Sequence, residues 1–314
     1  MKKSTIKALI LLISTFMISF FVLGCSETQK NKKTKIIVSL SSFALYDIAK
    51  HIAEDTIELV NIVPFGVGIH SYEPTPKIMA KIEQSDLVLY NGAGLEPWLS
   101  SFYFKNKAVS IGDYIPLRKF TKDENHEEHA HDGHTCSHSE LDPHIWFDIN
   151  NMKRMTDIIT YEFISLKPEN KDLYLLNRDR YIDMLSELDE LYKSELKSCK
   201  LDTIITDHDA FSYLAQKYDF HVKTLSGFSP DVEISPKDLI RVMNDVNKYK
   251  LSIVFFENFG SDKSMKSLAS ESNVEIDSLH PLGNITKSDA ESKRTYEDIM
   301  KENLEKISKA LVCK

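Results

Sequence analysis

The sequence predicts an α/β protein: two parallel-sheet lobes joined by one long rigid helix. Three observations carry that prediction. Short apolar runs alternate with helical patterns, the alternation occurs twice, before residue 150 and again after residue 200, and a nearly continuous helical stretch separates the two sets. A chain of 314 residues accommodates two lobes of ordinary domain size.

In the first half, 36–40, 57–63, 87–90 and 108–111 read as strands, with helices over 43–53, 75–83 and 95–104. Strands separated by helices at this spacing pair in parallel, with helices covering the sheet. The second half repeats the scheme, with strands at 203–206, 221–225, 253–256 and 274–276 and helices at 210–218, 236–249, 263–272 and 292–311. Between the two sets, 150–166 and 168–198 are strongly helical. The latter carries Leu175, Tyr181, Leu185, Leu188 and Leu191 at spacings too irregular for a coiled-coil seam. A helix of about 30 residues is about 45 Å long, enough to run along both lobes. The expected organisation is therefore a leader at 1–25, a tether at 26–35, an N-terminal lobe at 36–166, a linking helix at 167–199 and a C-terminal lobe at 200–314.

The leader has Lys2 and Lys3 ahead of an apolar run over 8–21, closed by Val22-Leu23-Gly24-Cys25. That ending resembles a bacterial lipobox, cleaved before a Cys25 that takes the lipid; a plain secretory signal and an uncleaved anchor are the alternatives. The polar stretch SETQKNKKTK then reads as a tether. The expected location is extracytoplasmic, lipid-anchored or periplasmic. Such a compartment permits a disulfide between Cys199 and Cys313, although the sequence does not show that they meet. A net charge of −8 without a Lys/Arg stripe excludes a nucleic-acid partner and suits metal cations.

Six of the eleven histidines fall between residues 123 and 148, in DENHEEHAHDGHTCSHSELDPHIWFD. Imidazole suits Zn²⁺, Cu²⁺ and Ni²⁺, so the tract reads as a metal collector. His126, His129, His131, His134 and His138 sit in a polar loop, 124–139, that has no apolar period; HEEH is not the zinc-protease HExxH, because its histidines are three apart rather than four. His144 differs, with Pro143 before it and Ile145, Trp146 and Phe147 behind. His70, His144 and His208 each follow a predicted strand or the loop beside one, where ligands bind in open α/β sheets. Three imidazoles make most of a tetrahedral zinc site, and Asp142, Asp207 and Asp209 are candidate acceptors for their distal nitrogens. His51 reads as helix surface and His221 as a strand edge.

SYEPTP, SDLVLYNGAGLEPWL, DPHIWFD, HDAFSYLA and LHPLGNIT together resemble the zinc-binding branch of the metal-specific solute-binding lipoproteins of bacterial ABC transporters, the cluster A-I family. The resemblance covers most of the chain after Cys25, and the acidic histidine-rich loop is similar to the zinc rather than the manganese branch. It implies a metal held in the cleft between two lobes and handed to a membrane permease, with His70, His144 and His208 as ligands. At the fourth position, where relatives carry Asp or Glu, this chain reads IDSLHPLGNIT. His280 is the expected fourth ligand, with Asp277, water or a loop histidine as alternatives, and Gly283 falls where others have Glu.

The expected function is capture of Zn²⁺, as transported cargo, by a monomeric, non-enzymatic component of an ABC importer. The alternatives are a manganese or broad divalent-metal binder of the same class, a surface metal buffer or adhesin, and a zinc hydrolase using Glu73 or Glu257 as base. Binding is expected to weaken as pH falls through the ordinary histidine pKa of about 6.5.

Overall fold

The computed structural model describes residues 35–119, 141–225, 235–257 and 263–314. The leader, Cys25, the tether and the histidine-rich segment 124–139 lie outside the described residues.

Four short apolar runs form the first sheet: β1 (Ile37–Leu40), β2 (Glu58–Asn61), β3 (Leu87–Tyr90) and β4 (Lys107–Ser110). They are all parallel, in the order β2-β1-β3-β4. The crossover from β1 to β2 is α1 (Phe43–Ala53), started by Ser42, whose side chain accepts the Leu45 N–H. Between β2 and β3, α2 (Pro76–Gln84) begins with Thr75 as cap and proline in its first turn. The helix expected over 95–104 is reduced to a 3₁₀ turn, Pro97–Ser101. Glu96 turns inward there: its carboxylate accepts the Ser41 hydroxyl at 2.6 Å and the N–H groups of Asn91 and Gly92 at 2.8 and 3.0 Å. Phe102 then packs edge-on against both Trp98 and Phe104. Together these contacts draw the chain toward β4 and override the local helical pattern.

After the loop, α3 (Ile149–Leu166) is capped by Asp148, and α4 (Lys171–Glu195) follows as a helix of 25 residues, about 37 Å long. Tyr174, Asn177, Tyr181, Leu185, Leu188 and Tyr192 are its buried stripe. Leu175 and Leu191, expected on that face, are only half-buried, because the tyrosines one position away occupy the core.

The second half contains β5 (Thr203–Thr206), α5 (Ser212–Tyr218), β6 (His221–Thr224), α6 (Pro236–Tyr249), β7 (Ile253–Glu257), α7 (Lys263–Ser272) and β8 (Glu275–Leu279). β5 pairs with β6 and β7 with β8, both in parallel, and β5 lies beside β7. The single helix expected over 292–311 is two: α8 (Lys287–Glu291) and α9 (Tyr296–Leu311). Each starts with its own capping box, Thr286 with Asp289 and Thr295 with Asp298, so the chain restarts a helix where the pattern alone suggests one run.

One hydrophobic core runs from the first sheet through α1, α3 and α4 to α9, and a smaller one lies under β5, β7 and α6. The larger core is tied by a buried carboxylate, Asp47 on α1, which accepts the Tyr181 hydroxyl at 2.7 Å and the Tyr296 N–H at 3.2 Å. Cys199 and Cys313 form a disulfide that joins the end of the long helical stretch to the end of α9. Among the described residues no helix is long and apolar enough to cross a membrane.

Candidate metal centre

His70, His144 and His208 come together. Their ring centroids are 5.2, 5.4 and 5.4 Å apart, a nearly equilateral triangle, and one nitrogen of each lies within 4.8 Å of the others. His70 Nε2 and His144 Nε2 approach to 3.3 Å. His144 and His208 are buried, while His70 keeps partial exposure and forms the open side.

Each imidazole is held by different means. His144 caps the 3₁₀ turn Ile145–Phe147, and its preceding residue is fixed by Asn91, whose side-chain amide donates to the Pro143 carbonyl at 2.7 Å. Asp142 accepts the His144 backbone N–H at 3.0 Å and stands 2.9 Å from its Nδ1. A proton on Nδ1 then leaves the Nε2 lone pair facing the cleft. The other oxygen of Asp142 pairs with Arg118 at 2.8 Å, and Arg118 in turn lies over the Tyr213 ring.

His208 follows β5. Its backbone N–H donates to Asp207 at 2.9 Å, and Glu257 Oε1 lies 2.6 Å from its Nδ1. Its Nε2 is buried with no hydrogen-bond partner among the described residues, as expected of a nitrogen reserved for a cation. Among the described residues His70 has no adjacent carboxylate; its loop is instead clamped by Asn284 of the C-terminal half.

These settings move the three pKa values apart. Burial, reinforced by the charges of His144 and His208, holds His70 well below the ordinary histidine value. Burial also pulls on His208, but Glu257 and Asp207 outweigh it and raise His208 to about 10. Glu257 is itself raised to about 7 by burial, with His208 opposing that rise. Without a metal, burial thus favours the neutral form of His70, and the neighbouring carboxylates favour the protonated form of His208.

His280 stands apart from the cluster, which corrects the expected fourth ligand. Its Nδ1 accepts the Leu282 N–H at 3.1 Å and its Nε2 faces Asp289 at 3.6 Å, so both nitrogens are directed into the local turn. Asn303 holds its backbone on both sides. Asp277 pairs with Lys306 at 3.7 Å and is also outside the cluster. Of the three aspartates considered as acceptors, Asp142 and Asp207 flank the histidines, whereas Asp209 turns to Ser212. Glu73 is exposed. His221 is exposed at the start of β6, and His51 packs against Tyr181 beside Asp47.

Glu257 is the acceptor that sequence reasoning missed. The signal was an acid closing the apolar strand IVFFE. Because β7 lies beside parallel β5, its last residue falls next to the residues that follow β5, and the Glu257 N–H donates to Asp207 at 3.0 Å.

Fold and cluster together define a class: two-lobed α/β proteins with a candidate metal site between strand-end loops. The chain belongs to the ZnuA family, the periplasmic component A of the zinc-uptake complex, whose profile matches residues 38–310. It is 31% identical to the high-affinity zinc uptake system protein ZnuA of Bacillus subtilis, over 93% of each chain. It is 30% identical to the manganese ABC transporter substrate-binding lipoprotein PsaA of Streptococcus pneumoniae, over 93% of this chain and 94% of that one. It is 29% identical to the zinc-binding lipoprotein AdcA of Streptococcus pneumoniae over 94% of its own length, but spans only 60% of AdcA. The Zn(II)-bound ZnuA-like domain of AdcA superposes with a TM-score of 0.73 at 26% identity, covering 88% of this chain and 99% of that domain. The family is one of extracytoplasmic solute-binding proteins that serve membrane permeases.

Proposed function

We propose that this chain captures Zn²⁺ outside the cytoplasmic membrane and delivers it to an ABC permease, as a monomer lipidated at Cys25 after removal of residues 1–24. The observation that carries this reading is the triangle of His70, His144 and His208, with the buried Nε2 of His208 that has no hydrogen-bond partner among the described residues. In this reading residues 36–166 and 200–314 are the lobes, 167–199 links them, and the three imidazoles hold the cation with solvent completing a tetrahedron. A shell of nitrogens favours Zn²⁺ over Mn²⁺, which prefers oxygen donors. Manganese is the second reading, favoured by the likeness to PsaA.

The chain is read as a carrier rather than a hydrolase. Glu257, the carboxylate nearest the cluster that was considered as a base, is taken up by the Nδ1 of His208. A competitive Zn²⁺/Mn²⁺ titration of protein starting after Cys25, with residues 124–139 removed, tests the proposal. One tight Zn²⁺ equivalent, resistant to excess Mn²⁺ and lost in His144→Ala, is expected. Equal or tighter Mn²⁺ binding moves the assignment to manganese, and the absence of tight binding moves it to a metal buffer acting through segment 124–139.

A further inference from the structure

The loop carrying His70 is held from the far end of the sequence. Asn284, which is 2% exposed, donates both protons of its side-chain amide across the cleft, to the Pro64 carbonyl at 2.7 Å and the Val67 carbonyl at 2.9 Å. Its amide oxygen accepts the Ile285 N–H at 2.9 Å, which fixes which face of the amide points at the loop. The Gly66 N–H donates to the Ile285 carbonyl at 2.8 Å, and Gly66 is at φ +87, a conformation that brings its backbone against residue 285 without a Cβ penalty. The same strap touches the rest of the N-terminal half: the Phe43 N–H donates to the Gly283 carbonyl at 2.8 Å and the Trp146 indole to the Pro281 carbonyl at 2.9 Å. A Cβ at Gly283 would come within 3.1 Å of Ile69 and 3.4 Å of Trp146, side chains next to His70 and two residues from His144.

From this geometry we infer that strap 281–285 is the element that sets the His70–His144 separation, and that Asn284 is a positioning residue acting on the metal through His70. Gly283 is the spacer that lets Ile69 and Trp146 close on each other. The inference rests on the zinc-capture reading and adds to it a determinant that touches no metal. Among the described residues no carboxylate orients His70, and the orientation that Asp142 and Glu257 give the other two imidazoles comes here from a backbone clamp. Loss of both donated bonds leaves the Pro64 carbonyl with only the Val67 N–H, at 3.2 Å, to hold it, and lets this largely exposed loop relax away from His144.

The test uses the full chain in detergent, reading the affinity of the first zinc equivalent by chelator competition and the visible absorption of the first Co²⁺ equivalent. Asn284→Ala is expected to weaken zinc about 10-fold, the scale found when groups that orient metal ligands are removed, and to shift the cobalt band. In a His70→Ala background the same substitution is expected to change affinity less than two-fold, because its effect runs through His70. Gly283→Ala, which adds one methyl between Ile69 and Trp146, is expected to weaken zinc about 3-fold and supplies the second arm if Asn284→Ala does not fold. An unchanged cobalt spectrum and affinity in both variants, or an Asn284→Ala loss that persists undiminished without His70, overturns the inference alone. Zinc binding indifferent to His70→Ala itself overturns the capture reading and the inference with it.

Discussion

His144 and His208 face the same point from opposite walls, each with a carboxylate at its Nδ1, yet the two walls are built differently. On the N-terminal wall the negative charge of Asp142 is already answered by Arg118 at 2.8 Å. On the C-terminal wall Glu257 and Asp207 crowd His208, and the charges that weigh most on Glu257 are His208, Asp207 and Asp209. The first wall is a balanced pair that fixes geometry. The second sets two carboxylates, Glu257 and Asp207, against His208, which favours whatever cation sits there, a proton first and a metal in its place. Rigidity and attraction are thus assigned to different walls of one site.

Asp142→Asn tests that division most severely. It leaves the Arg118 guanidinium without its carboxylate in a largely buried setting, so a loss of about 3 kcal/mol in the stability of the metal-free protein, read by urea denaturation, is expected along with weaker zinc. Glu257→Gln is expected to weaken zinc about 10-fold and to lower metal-free stability by less than Asp142→Asn does, because His208 can release its proton once the carboxylate is gone whereas Arg118 stays charged. Equal destabilisation by the two substitutions would erase the distinction between the walls.

A pH series sharpens the same comparison. His208 has a folded pKa near 10 against about 6.5 unfolded, so its contribution to stability is complete below about pH 6.5 and is lost as pH rises through about 10. Metal-free protein should therefore lose stability across that window and Glu257→Gln much less, as read by thermal denaturation between pH 6 and pH 10; parallel curves would refute the pairing. The smallest effect is expected from Arg118→Lys, which keeps the charge beside Asp142 but gives up the planar contact with Tyr213, worth about 0.5–1 kcal/mol. Its zinc affinity should fall no more than about 5-fold by the same titration, since 1.4 kcal/mol corresponds to a factor of ten.

Much of the fold was legible because its signals are local. The strands at 37–40, 87–90 and 203–206 are apolar runs bounded by turns, and α1 and α6 fall within a residue of their expected bounds. The failures share a cause. The pattern over 95–104 is helical, but Glu96 is captured by residues 41, 91 and 92. At the two ends of the α4 core face, Tyr174 and Tyr192 take the buried places read for Leu175 and Leu191, because tyrosines reach the core as well as leucines do, while Tyr181, Leu185 and Leu188 are buried as read. His280 lies beside Pro281 in a stretch that resembles a ligand position, yet its ring is used by the turn it sits in.

By itself the sequence determined the fold class, the alternation that builds two lobes around a long helix, and the three histidines at strand ends, since hydrophobic period and strand-end position are properties of neighbouring residues. Tertiary structure alone decided that Glu257, closing a strand 50 residues beyond Asp207, meets His208, that Asn284 clamps a loop 220 residues earlier, and that Cys199 joins Cys313 across a separation of 114. Such contacts leave no periodic trace in the chain. They exist only where packing has already brought distant segments together, and in this site they fix the orientation of the imidazoles.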